Sequence, residues 1–184
     1  MTIRTPLCDF LGVKYPIMLA GMGGVSYAEL AAAMSNAGGY GVLGMAGTTP
    51  DFIEGQMKRV RELTDKPFGV DLLAVKHAIK AEQAGCDAVI LQGGEGGGHT
   101  GLVGTMPLVA QAVEAVNIPV IAAGGIYDGR GLAASLALGA VGVWMGTRFI
   151  ASEEAHAANL YKQTIVSAGD TDTTRTRCYS GKPM

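Results

Sequence analysis

Charge is scarce in this sequence: 16% of its residues are Asp, Glu, Lys or Arg, and they balance to a formal net charge of -2. No basic patch announces nucleic acid or an anionic membrane surface, so partners of either kind are not expected. Cysteine is scarce too, and Cys8, Cys86 and Cys178 are odd in number, far apart and outside any CxxC spacing. That pattern argues against a disulfide framework or a zinc site and fits a reducing, cytoplasmic setting with no metal. Long apolar runs are also missing. The N-terminal MTIRTPLCDFLG has no apolar stretch leading to a small-residue cleavage site, and later apolar runs are short and broken by glycine. Neither an export signal nor a membrane span is expected. A hydrophobic share of 48% over 184 residues is enough to bury one core, so residues 1–184 are expected to form a single domain.

Glycine is abundant. The 28 glycines sit at the ends of apolar runs, where they mark turns between elements. PIMLAG, from residue 16, reads as a buried strand, and Ser26 with Glu29 has the spacing of a capping box opening an Ala-rich helix that runs to Gly38. YGVLGMAG is a second strand. Thr49-Pro50 then suits the start of a helix on which Ile53, Met57, Val60 and Thr64 share a face. FGVDLL is a third strand, followed by helix VKHAIKAEQAG, strand DAVILQG, helix PLVAQAVEAV, strand PVIAAGG, helix GRGLAASLALG, strand GVWMG and a last helix from about Ser152 to Ser167. Continuous apolar strands alternating with amphipathic helices predict an α/β fold with a parallel sheet, of the TIM-type (β/α) barrel kind. Six units are too few for it, because a closed eight-unit barrel typically takes ~250 residues. The break falls between Leu73 and Ala74, where a strand runs into the next helix with almost no loop, although such loops usually span ~2 to 6 residues.

In a parallel barrel, chemistry belongs at the C-terminal strand ends. AGMGG (20–24) presents Gly21, Met22 and Gly23, either as backbone that a ligand can approach closely or as a tight turn. Asp71 is a carboxylate ending an apolar strand, reaching a ligand or solvent. QGGEGGGHTG (92–101) packs six glycines around one glutamate and one histidine, a composition suited to wrapping a flat or phosphorylated ligand. His99 on that loop suits a general base or a hydrogen-bond donor to an anion, against a solvated loop histidine as the plainer alternative. AAGGI (122–126) and WMGTRF (144–149) end the last two strands with Gly124, Gly125, Gly146 and Thr147, the place where barrels commonly hold a phosphate through backbone N–H groups. His77 and His156 fall in predicted helices without a second ligand at metal spacing and receive no role. GYGVLG and GGGHTG match GxGxxG formally, but neither links a strand to a helix as a dinucleotide fingerprint must.

Taken in order, PIMLAGMGG, KPFGVDLL, DAVILQGGEGGGHTG, PVIAAGGI and MGTRF resemble the nitronate monooxygenases, formerly 2-nitropropane dioxygenases, over almost the whole chain. The flavin-dependent enoyl-ACP reductases share most of these motifs. The resemblance implies an FMN-binding barrel that oxidises alkyl nitronates such as propionate 3-nitronate with dioxygen. It implies FMN contacts at Gln92, Gly97, Gly125 and Trp144, Met145, Gly146 and Thr147, with Gly21, Met22 and Gly23 beside the flavin. Asp71 stands where many members have asparagine. His99 matches the family histidine that handles the acidic proton next to a nitro group or holds the nitronate. In such a site the flavin carries the redox step while the protein orients an anionic substrate.

The same comparison implies a further stretch between KPFGVDLL and the VKHAIKAEQAG helix, about 60 residues at ~30 per βαβ unit, and a C-terminal extension past SGKPM. A six-strand sheet lacking them exposes apolar surface and two edges. It can close into a smaller barrel, pair as a homodimer, or persist as an unstable remnant. A strained or open barrel with impaired activity ranks slightly ahead of a working nitronate oxidase. An enoyl-thioester reductase and a non-catalytic flavin binder are the alternatives.

Overall fold

The computed structural model describes residues 3–45, 48–71, 78–83, 88–178 and 184. The Leu73–Ala74 junction, His77 and Cys86 lie outside the described residues. Strands and helices alternate as expected, and the chain divides into two compact units, residues 1–74 with 145–163 and residues 75–144 with 164–184.

The first unit begins with a short helix that the sequence reading did not anticipate, α1 (Pro6–Leu11), closed by Gly12 in the left-handed conformation at φ 67°. Strand β1 (Ile17–Leu19) leads to α2 (Ala28–Asn36), β2 (Gly41–Gly44), α3 (Pro50–Leu63) and β3 (Phe68–Asp71). β2 and β3 pair in parallel from Gly41 opposite Phe68 to Gly44 opposite Asp71, and a single bridge joins Met18 to Tyr40. Leu19, Leu30, Ala31, Leu43, Met45 and Val60 form the core, with Ala155 against them. α2 can lie close to β2 because Gly41 has no side chain; a methyl there would sit 2.0 Å from the Ala31 carbonyl oxygen.

Two expectations about helix starts fare differently. Thr49 caps α3 through the Phe52 N–H, with Pro50 in the first turn. The Ser26–Glu29 capping box does not form: the N-cap of α2 is Tyr27 without a side-chain cap, the Ser26 hydroxyl is spent on Met22, and the Ala28 N–H donates instead to Gln56 Oε1 at 2.9 Å. The expected apolar face of α3 also splits, with Val60 buried and Met57 42% exposed.

The second unit holds α4 (Ala78–Gln83), β4 (Val89–Gln92), α5 (Thr105–Ala115), β5 (Val120–Ala123), α6 (Gly129–Ala137) and most of β6 (Gly142–Met145). β4 pairs with β5 and β5 with β6, all parallel. Asp128 caps α6 by accepting from the Arg130 and Gly131 N–H groups. The single final helix expected from Ser152 to Ser167 is instead a four-residue helix, α7 (Thr147–Ile150), then turns, then α8 (Asn159–Ser167). Among the described residues no helix is long and apolar enough to cross a membrane.

Candidate functional site

In the second unit, the ends of β4 and β5 and the start of α5 meet at Thr105. Its backbone N–H donates to Glu95 Oε2 at 2.8 Å, and its hydroxyl lies 3.0 Å from the same oxygen, 2.9 Å from the Gly124 carbonyl and 3.2 Å from the Ala123 carbonyl. Glu95 thereby places a negative charge on the first turn of α5, where the helix dipole favours it. Partial burial pushes the Glu95 carboxyl up, but hydrogen bonds from its own backbone N–H and from Thr105 outweigh that and hold it below its ordinary value of 4.5.

The glycine-rich loop folds back on this anchor. Gly96 N–H donates to the Gly93 carbonyl at 3.1 Å, Gly94 N–H to the Val103 carbonyl at 2.8 Å, and the Gln92 amide to the Gly97 carbonyl at 2.8 Å. Gly124 (φ 103°) and Gly125 (φ 68°) close against it, both in the left-handed region that side chains disfavour. A methyl on Gly124 would lie 2.8 Å from Thr105 Oγ1 and 3.1 Å from Gly96 N; one on Gly125 would lie 3.1 Å from Glu95 Cβ. Gln92, Gly97, Gly124 and Gly125 are thus parts of one assembly. His99 is exposed on the same loop, one residue after Gly98 at φ 82°. Arg175 grips the far side of the loop through Thr100 Oγ1 and the Gly101 carbonyl. Trp144, opposite Ala123, is half-buried at the end of β6.

In the first unit, Met22 N–H donates to Ser26 Oγ at 2.7 Å, and Ser26 Oγ lies 3.2 Å from the Met22 carbonyl. Gly44 admits this backbone, since a methyl there would lie 2.4 Å from Met22 N. Ala20 N–H donates to the Met145 carbonyl at 2.7 Å, and a methyl on Gly146 would meet the Met22 sulfur at 3.3 Å. The run Gly21 to Gly23 therefore adjoins Met145 and Gly146, while Thr147 opens α7. Asp71 is the last residue of β3, and its side chain lies outside the described residues.

The sequence reading missed three supports of these loops. His156, given no role, places Nδ1 3.2 Å from the Gly24 carbonyl and stacks on Tyr27, fastening the loop after β1. The Glu95–Thr105 anchor and Arg175 were missed as well. Glu95 carried a detectable signal, being the single acid in a loop of glycines, whereas Arg175 is distant in sequence and carried none.

Within the second unit the glycine-rich loop and the Gly124–Gly125 turn approach one another because glycines leave room, and the Glu95 carboxylate is turned into Thr105. An α/β chain of parallel strands with glycine loops at their C-terminal ends belongs to the TIM-barrel class. Comparison narrows the class: the nitronate monooxygenase family profile matches residues 4–78 and 73–184, and the chain belongs to that family, whose members are flavin oxidoreductases. It is 41% identical over 229 aligned positions to the (3aS,4S,5R,7aS)-5-hydroxy-7a-methyl-1-oxo-octahydro-1H-indene-4-carboxyl-CoA dehydrogenase of Rhodococcus jostii, covering 99% of this chain and 65% of that protein. A protein named "probable nitronate monooxygenase" from Staphylococcus saprophyticus is 34% identical over 277 positions, covering 100% of this chain and 78% of that one. Among solved structures, FabK from Thermotoga maritima is 38% identical with a TM-score of 0.93, covering 99% of this chain and 74% of its own. Nitroalkane oxidase from Streptomyces ansochromogenes is 30% identical with a TM-score of 0.86, covering 96% and 77%. The chain spans 65% to 66% of the length of the two CoA dehydrogenases it matches, and the aligned spans exceed its own 184 residues.

Proposed function

We propose that this chain binds FMN and oxidises alkyl nitronates with dioxygen, propionate 3-nitronate being the model substrate. The observation that carries the reading is the Glu95–Thr105 anchor, which holds the glycine loop of β4 against the left-handed Gly124–Gly125 turn. This backbone is shaped for a phosphorylated ring system before any ligand arrives. In the second unit Gln92, Gly97, Gly124, Gly125 and Trp144 would hold the cofactor; in the first, Gly21, Met22, Gly23, Met145, Gly146 and Thr147 are the matching family positions, with Asp71 at the end of β3. When bound, the flavin supplies electron acceptance from the substrate and its return to dioxygen. His99 would donate to a nitronate oxygen from its exposed place on the loop, or, for a substrate that arrives as the neutral nitro compound, take the acidic proton from the carbon beside the nitro group. Dioxygen and the nitronate are then the small-molecule partners.

The shortening is read as one internal loss at the Leu73–Ala74 junction. Support comes from the family match falling into two stretches that meet at residues 73–78, together with aligned spans longer than the chain. A second reading has specific support: the identity to FabK and to the CoA dehydrogenases favours an enoyl-thioester reductase or another thioester-directed flavin enzyme. Oxygen uptake on adding propionate 3-nitronate to the FMN-loaded chain supports the first reading. Oxidation of NAD(P)H dependent on a crotonyl thioester, without nitronate-driven uptake, would replace it with the second. Neither activity in a chain that retains FMN would leave a non-catalytic flavin binder.

A further inference from the structure

We propose that Arg175 is a positioning residue: by tying down the loop after β4 it fixes the His99 imidazole where the substrate anion is met. The proposal rests on the role given to His99 above. Loop and arginine lie in the same compact unit, residues 75–144 with 164–184. Gly96, Gly97 and Gly98 precede His99 and Gly101 follows it, so the backbone there has little stiffness of its own. His99 is exposed, and burial does not hold its ring. Fastenings on either side must set its place. Before it, the Gln92 amide donates to the Gly97 carbonyl at 2.8 Å, and Gly98 turns the chain at φ 82°. After it, one guanidinium nitrogen of Arg175 donates to both the Thr100 hydroxyl and the Gly101 carbonyl. The same nitrogen would lie 3.8 Å from a methyl on Gly94, on the other arm of the loop. One side chain thus spans the neck of the loop that carries His99.

Arg175 is itself presented by a braced segment. Upstream, the Gly169 N–H donates to Asp172 Oδ2 at 2.8 Å. Downstream, Thr176 and Met184 exchange backbone hydrogen bonds of 2.9 and 3.0 Å, and the Cys178 N–H donates to Thr176 Oγ1 at 3.1 Å. The residue next to Arg175 is therefore pinned, and the long side chain spends its reach on the loop. Hydrogen bonds from an ionised donor are roughly twice as strong as neutral ones, which suits a tether that works in contact with water. The effect on rate follows from placement, because a displacement of about 1 Å in a reacting group can cost on the order of 100-fold.

The test uses the purified full chain with FMN present and reads it in two ways. Backbone order parameters from nitrogen relaxation should be ~0.85 for residues 98–101 in the unsubstituted chain and fall below ~0.6 in Arg175→Ala. On propionate 3-nitronate, Arg175→Ala should lower kcat at least about tenfold with bound FMN unchanged, while in a His99→Gln background the same substitution should cost less than about twofold. Arg175→Lys, whose ammonium carries three donors, should restore most of both readouts. Order parameters unchanged by Arg175→Ala overturn the proposal, and so does a rate loss of equal size with and without His99. A chain that consumes no nitronate sinks the nitronate reading alone, and the order parameters then decide whether Arg175 holds the loop.

Discussion

β4 and β5 lie side by side, Val89 opposite Val120 through to Gln92 opposite Ala123, and their sequences VILQ and VIAA are of one apolar kind. Their burial differs sharply. Every residue of β5 is buried, whereas Ile90 of β4 is 41% exposed and Gln92 is exposed as well. β5 has a strand on each side, and β4 among the described residues has only β5. The first unit repeats the contrast, with β2 wholly buried and Phe68 to Val70 of β3 only half so. Burial here follows the number of neighbours more than the residue type. Among the described residues β3 and β4 each have a strand on one side only, and the two stretches of the family match overlap at residues 73–78, between them in sequence. The strand ends that bear the glycine loops are nonetheless fully formed.

The largest expected effect breaks the intact side of the comparison. Gly124→Val adds a branched side chain where φ is 103° and a first carbon already lies 2.8 Å from Thr105 Oγ1, costing about 1–3 kcal/mol of strain and more than about tenfold in FMN affinity, each 1.4 kcal/mol being a factor of ten. Gly129→Ala, in the same unit with open space around it, should leave FMN titrations unchanged. Burial itself is tested by a matched pair: Ile121→Ala, at 3% exposure, should cost about 2–5 kcal/mol in urea unfolding, and Ile90→Ala should cost no more than about 0.5 kcal/mol. Equal costs would mean that the outer edge of β4 is covered.

A smaller effect sharpens the account of the anchor. Because the fold holds Glu95 below its ordinary value of 4.5, its carboxylate adds stability at neutral pH that is lost as pH falls through and below that value. Glu95→Gln should cost about 1 kcal/mol at pH 7, the usual worth of a helix cap. It should also flatten the acid side of the stability profile measured by denaturant melts between pH 7 and pH 3. An unchanged acid limb would show that Thr105 does not depend on the charge.

Much of this was legible in the sequence. Strand positions followed from apolar runs bounded by glycine, and the clustering of Gln92, Gly97, Gly124 and Gly125 followed from where those runs end. What escaped reading was decided by competition in three dimensions. Ser26 had the spacing of a capping box but found Met22 first. Met57 belonged to an apolar stripe, yet it is 42% exposed. His156 looked idle on a predicted helix, and only the turns that replace that helix bring its ring to Gly24.

The central proposal is that Gln92, Gly97 and the Gly124–Gly125 turn help to hold FMN in this chain. Its most direct test is the flavin absorbance spectrum of the purified, desalted chain, with FMN released by heat and counted per polypeptide. Near-stoichiometric FMN in the unsubstituted chain, lost in Gly124→Val, is the predicted result. A chain that stays colourless after incubation with excess FMN, while remaining folded by circular dichroism, would contradict it.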